Sequence, residues 1–194
     1  MIDVLDLLLQ ILRVDIFISF GFYSILYLLM SLFTKSELLK SIDDYSCKII
    51  TYSGLLFLLV WMSLVVSTYL QSSAEEQSGM MNRMFGRYWF GYWLQPVLWI
   101  SLTQFFRFKT VRRSRFLRIL FSFIFMVSIE QFVIIVTSLH RDYLPSSWSV
   151  YNGLNFPFTT WELILGIATK ILFFLTIVAI YYFVDKKLKL RRVK

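Results

Sequence analysis

Five apolar runs, each near the length that crosses a bilayer, constrain this chain more than any other feature. They cover residues 16–33, 49–70, 88–106, 119–139 and 158–183. A helix rising about 1.5 Å per residue needs about 20 mostly apolar residues to cross the hydrocarbon layer. Inside lipid every backbone N–H and C=O must be satisfied within the protein, so a span is a helix or part of a closed barrel. The sequence lacks the alternating ten-residue segments of a barrel. It therefore predicts an all-α integral membrane protein, a bundle of about five transmembrane helices over residues 16–183. Charged residues make up 16% of the chain and mean hydropathy is +0.66. A soluble domain carries about 25% charged residues, so this chain has too little polar surface to cover itself in water.

The ends read differently. Residues 1–15 set Leu5, Leu8, Leu9 and Leu12 among Asp3, Asp6 and Arg13. That pattern suits an interfacial amphipathic helix or an extension of the first span. Asp3 and Asp6 stand where a cleavable signal peptide needs positive charge. Residues 184–194 form a basic tail. The single cysteine, Cys47, excludes an internal disulfide and a cysteine-held iron–sulfur cluster.

Charge sets the expected orientation. Lys35, Lys40 and Lys48 follow the first run. Arg107, Lys109, Arg112, Arg113, Arg115 and Arg118 follow the third. Lys186, Lys187, Lys189, Arg191, Arg192 and Lys194 follow the fifth. The opposite side holds Arg13, Arg83, Arg87 and Arg141. The positive-inside rule puts the N-terminus outside and the C-terminus in the cytoplasm. The net charge of +8 is explained by anionic lipid and calls for no nucleic acid.

Candidate functional residues fall in two groups. Tyr88, Trp89, Tyr92 and Trp93 open the third run, and His140, Arg141, Asp142, Tyr143 and Trp148 follow the fourth. Both groups belong to the expected outer face. The aromatic residues suit a headgroup belt, or a flat wall for a ring-shaped ligand such as a quinone. Glu130 and Lys170 lie inside runs, about 14 and 18 Å below the outer boundary. A charge at that depth is costly and marks a functional hypothesis. The two make an intramembrane pair holding the fourth and fifth spans together, or a step in a proton path. No Gly-rich phosphate loop, zinc spacing or nucleophile–histidine motif is present.

The string FVIIVTSLHRDYLPSSW at 132–148 resembles the polysulfide-reductase (NrfD/PsrC) family of membrane subunits, most closely those of bacterial alternative complex III. NRMFGRYWFGYW at 82–93, Pro96, Leu98–Trp99 and the basic stretch 107–115 are similar to the same subunits. The resemblance implies a bundle in a quinol-linked oxidoreductase of the bacterial inner membrane. Such a subunit holds no redox metal and no covalent cofactor. It takes menaquinol or ubiquinol near the outer face and passes electrons to an iron–sulfur or haem protein docked there. This chain departs from the family in length, with about half the usual spans. Ile42-Asp43-Asp44-Tyr45 stands where a His–Leu–Asp–Asn-like start is usual, and Gln131 stands where an arginine is usual. The expectation is an accessory, half-length relative packed against other membrane subunits and lipid. One alternative is a subunit that itself supplies an outer-face quinol site through His140–Tyr143, Trp148, Tyr88, Trp89 and Trp93. A further alternative is an oligomeric ion-conducting bundle using Glu130.

Overall fold

The computed structural model describes residues 2–34, 36–87, 89–127 and 160–192. Among these residues the chain is helical, with no strand. Helix α1 (Ile2–Gln10) passes through a wide-turn π segment (Ile11–Phe17) into α2 (Ile18–Phe33). In the π segment the N–H of Ile18 bonds the carbonyl of Arg13, five residues back. The wider turn keeps Leu12 and Phe17, five apart, on one buried face with Leu9 and Phe20. The rod stops where Thr34 and Ser36 turn extended, and α3 (Glu37–Gln71) runs back.

After α3, Ser72 and Ser73 are extended. Ser73 then starts α4 (Ala74–Phe85) with a capping box. Its hydroxyl accepts the Glu76 N–H, and the Glu76 carboxylate accepts the Ser73 N–H at 2.8 Å. Helix α5 (Trp89–Phe105) carries Pro96 on its buried side. A short α6 (Lys109–Arg113) leads to α7 (Arg115–Met126), capped by the Ser114 hydroxyl. The last helix, α8 (Thr160–Arg192), continues through the basic residues Lys186 and Lys187. Among the described residues three helical stretches are long and apolar enough to cross a membrane: Ile2–Phe33, Glu37–Gln71 and Ile164–Leu188.

Phenylalanines gather the helices at one centre. Phe20 of α2 meets Phe106 at 4.9 Å, Phe125 of α7 at 5.8 Å and Phe174 of α8 at 5.8 Å, each edge-on. Phe17 meets Phe57 of α3 at 5.4 Å and Trp99 of α5 at 5.9 Å. Such pairs add about 0.5–1.5 kcal/mol each beyond area burial. Two glycines let backbones approach, as small residues do between membrane helices. A Cβ on Gly21 would lie 2.8 Å from Met126 Cγ and 2.9 Å from the Ser122 carbonyl, so α2 lies against α7 there. A Cβ on Gly54 would overlap the Thr103 side chain, so α3 lies as close to α5. Beside that contact Thr51 Oγ1 reaches the Thr103 carbonyl at 3.3 Å, and Gln104 Nε2 donates to the Thr51 carbonyl at 3.1 Å.

Candidate functional site

Two polar centres and an aromatic shelf stand out. The first centre is built on Arg118, one turn into α7. Arg118 is spaced four residues from Ser122 and seven from Phe125, so all three share the inward face. Its side chain is fully buried. Nη1 donates to Asp43 Oδ2 at 2.8 Å and Nη2 donates to Asp43 Oδ1, a bidentate clamp. Nε donates to Ser24 Oγ at 2.7 Å. The Tyr27 ring covers the guanidinium 4.2 Å from Cζ. Asp43 belongs to α3, Ser24 and Tyr27 to α2. One guanidinium thus ties three helices together, with planar donors matched to a planar carboxylate. Read as sequence, Arg118 groups with the cations of the basic loop; in the structure it is part of the core. The available signal was its helical phase with Ser122 and Phe125.

Next to this buried pair is an exposed one. Arg112 Nη1 donates to Asp44 Oδ1 at 2.7 Å, with the Asp44 side chain 65% exposed. Two consecutive carboxylates on α3 therefore take two arginines from the α6–α7 region, one in the core and one at its edge. Farther around the same end, Tyr45 donates to Asp185 of α8 at 2.8 Å, and Lys48 lies 4.6 Å over the Tyr45 ring.

The second centre joins Lys170 of α8 to the π segment. Lys170 Nζ donates to Asp15 Oδ1 at 3.2 Å and to the Val14 carbonyl at 3.4 Å. The wide turn presents both acceptors. Lys170 thus pairs with the first helical rod, whereas its expected partner Glu130 lies outside the described residues. Arg13 of the same segment stands 6.0 Å over the Trp99 ring.

The shelf lies where α3, α4 and α5 converge. Trp93 Nε1 donates to the Met84 carbonyl at 2.9 Å. Its ring packs edge-on against Trp61 at 5.3 Å and Tyr92 at 5.6 Å. Trp89 is exposed. A cavity of about 620 Å³ opens beside Trp61 and Tyr92, with Glu76 and Arg83 of α4 on its rim. The backbone N–H and hydroxyl of Ser73 hold the Glu76 carboxyl below the usual carboxylate range. Of the expected outer-face aromatic residues, the structure thus describes Trp89, Tyr92 and Trp93. Tyr88, His140, Arg141, Asp142, Tyr143 and Trp148 lie outside the described residues, as does the stretch 132–148. Among the described residues no group of three or more His, Cys, Asp or Glu converges.

Chemically, the Arg118 centre is saturated. Both Asp43 oxygens accept from Arg118, and its Nε is spent on Ser24. It locks helices, and its groups are committed to one another. Set beside family models, curated proteins and solved structures, the chain matches none.

Proposed function

We propose that this chain is a multi-pass membrane subunit whose task is assembly: an accessory component packed among other subunits of a quinol-linked respiratory complex in a bacterial inner membrane. The reading takes five spans, with the N-terminus outside and the C-terminus cytoplasmic. One observation carries the structural role. Among the described residues, charges that bridge helices are spent on each other, Arg118 on Asp43 and Lys170 on Asp15, while large apolar side chains face outward. Phe33, Leu59, Leu70 and Leu172 are exposed on the long helices. Buried charge that tethers helices, beneath an apolar exterior, suits a packing unit for lipid and neighbouring helices. The respiratory setting is supported by the resemblance at 82–93 and 132–148. Purification from native membranes in mild detergent tests it. Migration with haem- or iron–sulfur-containing partners is expected, and a chain isolated without them overturns the respiratory setting. Reporter fusions at each end test the orientation.

A second reading has its own observation. The cavity beside Trp61 and Tyr92 has the volume of a small-molecule pocket, and its aromatic wall suits a quinol ring. Titration with a menaquinone analogue should quench tryptophan fluorescence, and the quenching should weaken in Trp61→Leu. An unchanged titration in that variant removes the shelf from any quinol site.

A further inference from the structure

We infer that the end of the bundle bearing α6 holds a binding site for the phosphate headgroup of an anionic phospholipid. A cavity of about 520 Å³ opens there between the last turns of α2, the first turns of α3 and the α6–α7 corner. Lys109, Arg112, Arg113 and Arg115 line it. Its two carboxylates are already committed, Asp43 to Arg118 and Asp44 to Arg112. The side chains of Lys109, Arg113 and Arg115 make no ion pair or hydrogen bond among the described residues. Three uncompensated cations thus converge on one concavity.

The surroundings match a lipid better than a small anion. Tyr27 and Leu28 line the same cavity. Phe33 and Phe116, adjoining its lining segments, are strongly exposed. Charged headgroup contacts therefore stand next to apolar surface, the sequence of environments that a glycerophospholipid presents along its length. Basic pockets between membrane helices recognise anionic headgroups in this way. The site rests on the chain entering a bilayer, and it does not depend on which end faces the cytoplasm.

The test uses the purified full chain, with native mass spectrometry counting retained phosphatidylglycerol against phosphatidylcholine. Selective retention of phosphatidylglycerol is expected. Each of Lys109→Gln, Arg113→Gln and Arg115→Gln should weaken it roughly fivefold, and the triple variant about a hundredfold. These side chains are exposed, and the charge-conserving variant Lys109→Arg, Arg113→Lys, Arg115→Lys should retain the lipid. A control with Lys186→Gln and Lys187→Gln on α8 should retain it as well. Equal retention of both lipids overturns the site, and so does an equal loss in the α8 control. Displacement of the lipid by inorganic phosphate would make this a free-phosphate site and overturn the lipid assignment. A chain that fails to enter phosphatidylcholine vesicles refutes the membrane reading instead, so the two failures are distinct.

Discussion

Asp43 and Asp44 are neighbours in sequence, yet their loss should have unlike consequences. Asp43→Asn preserves shape and removes the charge facing Arg118. The amide can accept from one guanidinium nitrogen, while its NH₂ opposes the other. Arg118 is fully buried, so its charge is left without compensation. Breaking a buried pair this way costs about 3–5 kcal/mol. At about 2–4 °C per kcal/mol, the melting temperature should fall by roughly 6–20 °C. Asp44→Asn breaks a pair whose carboxylate is 65% exposed. Solvent screening limits that loss to about 1 kcal/mol or less. Tryptophan-monitored melting in one detergent compares the two. The double variant Asp43→Leu, Arg118→Met, which removes both charges, should recover most of the loss, because apolar replacement of a buried pair is often neutral or better. Equal shifts for the two asparagine variants, or no recovery in the double variant, would refute the idea that burial makes this pair decisive.

Gly21→Ala should cost about 1–3 kcal/mol through overpacking, since the Ser122 carbonyl cannot move aside. Gly79→Ala, which meets open space, should be neutral or slightly stabilising in the same melting assay. Ser73→Ala should loosen the first turn of α4, read as faster amide exchange at Glu76 and Gln77. The Glu76 carboxyl is held below its ordinary value of 4.5, so its support for this cap is whole above that pH. That support should fade as acidification passes through the depressed value, and exchange in α4 that ignores this acid range would contradict the cap. Cys47 is buried between α3 and its neighbours, so a maleimide should label it after denaturation and not before.

Much of the helical architecture was legible because apolar length is a strong signal. Runs at 16–33 and 49–70, and residues 160–183 of the fifth, lie in the long helices described here. Azimuth was harder to read. Depth along a span gives no azimuth, and Glu130, which depth matches to Lys170, lies outside the described residues. The structure turns Lys170 toward Asp15, a residue that sequence places with the N-terminal segment. Arg118 was obscured by its company, because a run of cations invites a single explanation. Arg115, at the first position of α7, is exposed, whereas Arg118, a turn further in, is buried. The π turn left no sequence signature, and without it the Leu9–Leu12 face would drift away from Phe17 and Phe20.

The Arg118–Asp43 clamp also orders events in time. Its partners are 75 residues apart in the chain. At synthesis rates of about 5–20 residues per second, Asp43 leaves the ribosome on the order of 4 to 15 s before its cation. During that interval the nascent chain carries Asp43 without the guanidinium that pairs with it in the finished fold. A nascent chain cut short before α7 would keep that defect permanently. The clamp therefore closes late: until α7 has been made, Asp43 lacks the cation it meets in the finished fold.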